Sequence, residues 1–397
     1  MPGLLAKISL SAAILAIPKA DSASHPNVPE PSVPIRALGD RAFAADMSGF
    51  LVSGPERPRL IERWWAGLMN WAAEQLDRTG SDSVHTLPTE ASRLDPELRM
   101  AAIPLGGGAV LISASREGHG TAFVLAPQGG RMRTLWTITA PDAAERRSFP
   151  SLASWSPNAT IGEGCDGTPC SAISVDAVGA LPPGPNGASR FYLQGTYFSE
   201  MGATKGGQLG IWQWDGRRAR PLLVRDFAFM VDQSAPVLTV RGAELILQVK
   251  GSFRHFYACG SCEGRQMIWR FRVEPGGVRD LGRTSLTPEL DFMDGLAGRL
   301  LRNEPVSDLS EAAAAAFFAR QVRAAAEQIG PARPGETPLV GMLGYWQVTR
   351  VGNVRRLCFN SDGVNGVFTL TRRAGRMRLL AARETGDDAC NRPGAHL

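Results

Sequence analysis

The chain has 397 residues, 44% hydrophobic and 20% charged, which is the composition of a folded protein with room for two or three domains. Its 44 glycines and 28 prolines favour turns, and therefore a fold rich in β-strands with helix in the minority. The net charge of +5 is modest and the arginines are scattered, without the basic stripe that a phosphate backbone requires, so we expect no nucleic-acid partner.

The first 23 residues have the pattern of a secretory signal peptide. Lys7 precedes an apolar run over residues 8–17, and Pro18 and then small residues as far as Ala23 follow it. The run is shorter than the roughly 20 residues that a membrane span needs, and no later stretch is long and apolar enough. We therefore expect a periplasmic or secreted protein with no transmembrane span. A buried N-terminal strand or helix is the alternative.

A linker and a helix are predicted to follow. Residues 24–56 are predicted to be an extended proline-rich linker, because four prolines lie between Ser24 and Arg36. From Pro58 to Leu76, apolar residues recur at helical spacing and Gly80 comes just after, which predicts an amphipathic helix. Its three tryptophans could form a ligand platform or a membrane-surface face, but we favour packing against a sheet because charges of alternating sign occupy the other side.

The hydrophobic period changes to two from about residue 100, and residues 57–284 are predicted to form a β-rich domain with this leading helix. A layout of strand, loop, strand, tight turn and strand occurs three times, over 109–138, 190–224 and 244–282. Repeated antiparallel units predict a mainly β, β-propeller-like fold, with a sandwich or barrel as the alternative. Residues 150–189, between the first two copies, are predicted to form a degenerate blade or a long insertion.

Residues 285–397 are predicted to form a C-terminal α+β domain. Helices are expected over Pro288–Leu301 and Leu309–Ile329, the second with a capping box of Asp308 and Glu311. Antiparallel strands are expected over 344–351, 355–360, 366–373 and 376–383. The layout resembles that of NTF2-like or cystatin-like α+β folds, and this analogy implies no function. A helical hairpin that caps the central β-rich domain is the alternative.

Six cysteines in a chain predicted to be exported favour disulfides. The simplest pairing by spacing is Cys165 with Cys170, Cys259 with Cys262, and Cys358 with Cys390. The C-x-x-C motif of Cys259 and Cys262 also suggests thiol–disulfide redox chemistry, but its strand-like flanks lack the helix whose dipole would lower a thiol pKa. A further alternative is zinc binding by Cys165, Cys170, Cys259 and Cys262 together, or by the second pair with His255. We expect no metal and no cofactor.

No nucleophile or nucleotide motif stands out, so we favour a binding protein over an enzyme. The expected function is that of an exported, disulfide-stabilised protein that uses its long loops to bind an unknown ligand or protein partner. Its candidate binding residues are Tyr197, Trp212 and Arg265. The first alternative is an exported hydrolase of glycosidic or ester bonds, with Glu200, Asp232 and His255 as candidate catalytic residues. These must meet in one pocket with Arg265 for that alternative to hold.

Overall fold

A computed structural model describes residues 34–43, 57–116, 118–155, 173–198, 204–230, 236–251, 257–258, 265–329, 342–343, 345–360 and 366–384. The predicted signal peptide lies outside these residues, so it stays a prediction. Residues Pro34–Leu397 belong to one compact unit. Over the described ranges, no helix is long and apolar enough to cross a membrane.

Six α-helices occur in the described part of the chain. They are α1 (Pro34–Phe43), α2 (Arg57–Thr79), α3 (Leu87–Leu94), α4 (Ala143–Ser148), α5 (Pro288–Leu301) and α6 (Ala312–Ile329). Short 3₁₀ helices span Ser81–Thr86, Gly106–Gly108, Pro150–Trp155 and Pro185–Gly187. The predicted amphipathic helix corresponds to α2.

Two details of the helices differ from expectation. Ten residues inside the predicted extended linker form α1, which begins at Pro34, a residue suited to a first turn because the N–H that it lacks would have no helical partner. The predicted capping box is wrong, because α6 begins at Ala312. Asp308 instead pairs with Arg299, at 3.4 Å, and Glu311 pairs with an arginine of the last strand.

The strands form four antiparallel four-stranded sheets, each a meander in chain order. Sheet 1 contains β1 (Arg99–Pro104), β2 (Val110–Arg116), β3 (His119–Gln128) and β4 (Arg131–Thr137). Sheet 2 contains β5 (Ser174–Leu181), β6 (Ser189–Phe198), β7 (Thr204–Trp214) and β8 (Ala219–Met230). Sheet 3 contains β9 (Val237–Arg241), β10 (Glu244–Gly251), β12 (Arg265–Glu274) and β13 (Gly277–Ser285). Sheet 4 contains β15 (Tyr345–Val351), β16 (Val354–Asn360), β17 (Gly366–Arg373) and β18 (Arg376–Arg383). In addition, β11 (Tyr257–Ala258) pairs in parallel with β14 (Met342–Leu343).

These repeated sheets confirm the prediction of a mainly β fold built from propeller-like antiparallel units. Each of the three predicted three-strand copies is present, and each has one more strand before it: β1, β5 or β9. Residues 150–189 are therefore neither a degenerate blade nor a mere insertion, because they include β5, which pairs with β6 as the first strand of sheet 2.

The first three sheets stack face to face because their central strands are apolar on both sides. In β2, Val110 and Ile112 face α2, whereas Leu111 between them faces sheet 2. The tryptophans of α2 are buried against sheet 1, as expected for a helix packed on a sheet. Between sheets 2 and 3, Ile211 packs with Leu247 in a third core.

The C-terminal helices pack on their own sheet. Phe318 of α6 and Phe368 of β17 are fully buried in one core with residues of α5, with ring centroids 5.3 Å apart. The helical pair therefore covers sheet 4 rather than the central sheets. The division into domains 57–284 and 285–397 stays a prediction.

Candidate functional site

A groove of about 970 Å³ lies between sheets 1 and 2. This volume is in the range of sites that hold small ligands. Its walls come from β1 at Arg99–Ala101 and from β5 at Ser174–Val178, and its floor includes Ser113 and Ser115 of β2. Glu97, just before β1, lies at one end.

The groove is formed where β1, the first strand of sheet 1, faces β5, the first strand of sheet 2. Both β1 and β5 stand at an edge of their sheets, so each is hydrogen-bonded to a strand on one side only within the described residues. The sheets approach closely at Gly120 of β3, where an added Cβ would lie 2.6 Å from the Val175 backbone nitrogen. The hydroxyl of Ser115 bonds to the backbone of Val175 at the same place. Any side chain at position 120 would push β5 away from sheet 1.

Asp176 is the unpaired residue of a β-bulge between Val175 and Ala177. Bulges redirect a side chain, and here the carboxylate accepts a hydrogen bond from the Ser174 hydroxyl at 2.9 Å and another from the Thr196 hydroxyl. Although the carboxylate reaches solvent in the groove, the protein around it desolvates it and raises its pKa. The hydroxyls and the positive charge of Arg99 oppose this rise without cancelling it. A carboxyl group with a raised pKa in a cleft is a candidate functional group.

Glu97 belongs to an ion cluster centred on the buried side chain of Arg116, which is 4% exposed. Its guanidinium lies 2.7 Å from Asp40 of α1, 2.9 Å from Asp95 and 2.9 Å from Glu97. Burial alone would lower the pKa of Arg116, but the hydrogen bonds to Asp40 and Glu97 outweigh burial and raise it. Glu97 is therefore held in place at the end of the groove.

The predicted binding residues lie elsewhere. Trp212 is 1% exposed, stacked on Phe191 at 5.8 Å and edge-on to Trp136 at 6.1 Å, so its indole belongs to the core between sheets 1 and 2. Arg265 pairs with Asp291 at 2.7 Å and joins β12 to α5.

Other predicted residues fall outside the described ones. The backbone of Tyr197 pairs in β6, but its side chain is not described. Glu200, Asp232 and His255 lie outside the described residues, so their meeting in one pocket stays a prediction.

Cys358 is the one cysteine in the described part of the chain, and it is disulfide-bonded. The other five cysteines lie outside the description, so the pairing pattern stays a prediction, as does redox chemistry at the C-x-x-C motif: Cys165, Cys170, Cys259, Cys262 and Cys390. Among described side chains, no group of three or more histidine, cysteine, aspartate and glutamate residues could hold a metal ion.

The groove residues were missed by reasoning from sequence, although one signal was present. Asp176 is a charged residue inside the apolar, strand-like run of residues 171–178. Arg99 and Ser115 gave no signal, because their importance comes from the contact of two sheets.

Comparisons with known proteins find no family for this chain and only weak likenesses to solved structures. No family model and no curated protein matches this chain. Among solved structures it is similar to the β-propeller domain of Nup133 from Vanderwaltozyma polyspora, with 9% identity, a TM-score of 0.25 and coverage of 47% of this chain and 46% of that one. It is also similar to the GH43_1 enzyme from Xanthomonas citri, solved with xylotriose, with 12% identity, a TM-score of 0.21 and coverage of 72% of each chain. The chain spans about half the length of the Nup133 domain. At these TM-scores neither likeness carries an argument about function.

Proposed function

We propose that this chain is an exported, disulfide-stabilised ligand-binding protein whose binding site is the groove between sheets 1 and 2. The observation that carries the proposal is the carboxylate of Asp176, an exposed residue oriented by two hydroxyls and with a raised pKa, on the wall of a groove of ligand-binding size. The signal-like first 23 residues and the even number of cysteines support the export and disulfide parts.

The chemistry of the groove supports binding over hydrolysis. Cleavage of a glycosidic bond uses two carboxyl groups in complementary roles. The carboxyl groups that line the groove are those of Asp176 and Glu97, and Glu97 is engaged with Arg116 at 2.9 Å. Ester hydrolysis by a serine needs an adjacent base, and none of the described lining residues is a histidine. The described residues of the groove therefore suit holding a ligand better than cleaving it.

A thermal-shift screen with a filled-groove variant tests the proposal. Amino acids, short peptides, oligosaccharides and nucleosides are screened against the wild type and Ala101→Trp, whose indole would occupy the groove. Ala381→Trp is the matched control, because Ala381 is exposed on β18 of sheet 4. We expect at least one ligand class to raise the Tm of the wild type and of the control but not of Ala101→Trp.

Asp176→Asn gives a second readout that keeps the groove volume. Calorimetry should show at least about tenfold weaker binding of the ligand found, since a lost charge-assisted hydrogen bond costs about 1.5–3 kcal/mol. Ligands that shift all variants equally would overturn the assignment of the groove. For export, N-terminal sequencing should find a mature chain that starts after the signal-like segment, and an intact Met1 would contradict that part.

A further inference from the structure

The backbone along the groove is of the kind that pairs with an added strand. In the described part of the chain, β1 is hydrogen-bonded only to β2, through the pairs Arg99 with Ser115 to Pro104 with Val110. Alternate N–H and C=O groups of β1 therefore point away from sheet 1, on the side of the strand opposite β2. Across the groove, the edge of β5 is closed at Val175 by the Ser115 hydroxyl. Three residues of β1, Arg99 to Ala101, line the groove.

The side chains that line the groove favour an extended peptide over a planar aromatic compound as its ligand. Among the described lining residues there is no Trp, Tyr or Phe, so a nucleobase or other planar ligand has no aromatic surface on which to stack. The lining instead offers small and hydroxyl side chains, such as Ala101, Ser113 and Ser174. These suit the alternating side chains of a peptide that gains its affinity from backbone hydrogen bonds.

The charges around the groove favour a basic side chain on that peptide. Asp40, Asp95 and Glu97 contact the guanidinium group of Arg116, and Asp176 interacts with that of Arg99, so carboxylates outnumber guanidinium groups by four to two in this set. This end of the groove therefore has an excess of negative charge on a chain whose net charge is +5. Such a local potential attracts cations and repels acidic segments.

We propose, resting on the function proposed above, that the groove binds an extended peptide segment that adds as a strand to the edge of β1 and places a lysine or arginine side chain against Asp176. The bulge at Asp176 aims the carboxylate into the groove, and the hydroxyls of Ser174 and Thr196 hold it there. The partner is thus a protein or peptide with an exposed, basic, extended segment.

Fluorescence anisotropy with labelled pentapeptides tests the inference. The probes are an alternating valine–lysine peptide, its valine–glutamate counterpart, and two lysine peptides N-methylated at the odd or at the even positions. We expect the lysine peptide to bind and the glutamate peptide to bind at least about tenfold more weakly. One of the two methylated peptides should also lose about tenfold, because it lacks the donors that face β1. Equal binding of all four peptides would overturn the inference.

Variants separate this inference from the proposed function. Asp176→Asn should weaken binding of the lysine peptide about tenfold. Asp280→Asn, which removes an exposed carboxylate of sheet 3 that pairs with Arg225 of sheet 2, should leave the binding unchanged. If no peptide binds while another ligand is lost in Ala101→Trp, the peptide inference fails and the groove function stands. If neither peptides nor any compound gives a signal sensitive to Ala101→Trp, both fail.

Discussion

Ser115 and Val175 join sheets 1 and 2 through a side chain that takes the place of a strand partner. Ser115 Oγ accepts a hydrogen bond from the Val175 N–H at 2.7 Å and donates one to the Val175 carbonyl at 3.2 Å. One hydroxyl thus satisfies both backbone groups on the edge of β5, one residue before the bulge at Asp176. The position of the carboxylate in the groove depends on this contact.

Ser115→Ala should lower the free energy of unfolding by about 1–3 kcal/mol, because two partly buried backbone groups of Val175 lose their partner. Urea denaturation followed by circular dichroism measures the change. The control is Ser92→Ala, where an exposed hydroxyl on α3 donates to the Pro88 carbonyl, and a change within about 0.5 kcal/mol is expected. Equal losses in the two variants would contradict a joining role for Ser115.

Gly120→Ala should destabilise the protein through overpacking at the same contact. The new Cβ would lie 2.6 Å from the Val175 nitrogen and 2.8 Å from the Ile173 carbonyl oxygen, and both are backbone atoms that cannot swing aside. We expect a loss of about 1–3 kcal/mol in urea unfolding. Gly276→Ala is the matched control, since an added Cβ there meets nothing within 4 Å and the residue lies in an exposed turn. A tolerated Gly120→Ala would show that β5 can move away from sheet 1.

What the sequence predicts well is governed by local pattern. The alternation Val110, Leu111, Ile112 places a strand in the core on both faces, and glycine turns separate successive strands, so the three-strand copies could be predicted. The first strands of sheets 1 and 3, β1 and β9, could not be predicted. They have only six and five residues, and their side chains do not alternate between buried and exposed.

Contacts between distant residues decide the rest. Helix α1 is joined to β2 by Asp40 and Arg116, which are 76 positions apart, and a proline-rich segment gives no sign of such a partner. The pKa of Asp176 likewise depends on distant residues: burial raises it, and Thr196 of β6 and Arg99 of β1 oppose that rise. Sequence pattern indicates the strands, but it does not show which edges face each other.

Arg116→Met should cost about 3–5 kcal/mol of unfolding free energy, because it leaves the 2% exposed carboxylate of Asp95 buried without its cation. Asp40 contacts the same guanidinium but is 56% exposed, so Asp40→Asn should cost less than about 1 kcal/mol. Chemical denaturation of both variants measures the difference. If Asp40→Asn costs as much as Arg116→Met, the attachment of α1 rather than the buried pair dominates the cluster.

Non-reducing peptide mapping should find Cys358 joined to Cys390. In sheet 4, Cys358 of β16 pairs with Val367 of β17, and Val367 pairs with Arg383, the last residue of β18. Arg383 is seven positions before Cys390 in the chain. Cys390→Ser should make Cys358 alkylatable and lower the unfolding free energy by about 2–4 kcal/mol. A Cys358 peptide linked instead to one that carries Cys259 or Cys165 would contradict the predicted pairing.

The buried carboxylate of Glu289 should make the free energy of unfolding depend on pH. Its carboxylate is 3% exposed and accepts two hydrogen bonds from Arg350, each 3.0 Å long, with Arg355 at 3.2 Å. Burial alone would raise the pKa of Glu289, but the hydrogen bonds and charges of Arg350 and Arg355 outweigh burial and lower it. A carboxylate with a lowered folded-state pKa stabilises the protein fully above its unfolded pKa of about 4.3, and this contribution is lost as the pH falls through the lower folded value.

Glu289→Gln should therefore lower the unfolding free energy at pH 7 by about 2 kcal/mol and should narrow its gap to the wild type as the pH falls below about 4.3. Urea unfolding at several pH values between about 7 and 3 measures both effects. Glu311→Gln is the control, since Glu311 is 54% exposed and its pairing with Arg378 at 2.9 Å is worth less than about 1 kcal/mol. The unfolding free energy of Glu311→Gln at pH 7 should stay within about 1 kcal/mol of the wild-type value. If the gap for Glu289→Gln stays constant across this range, Glu289 does not titrate with a lowered pKa in the folded protein.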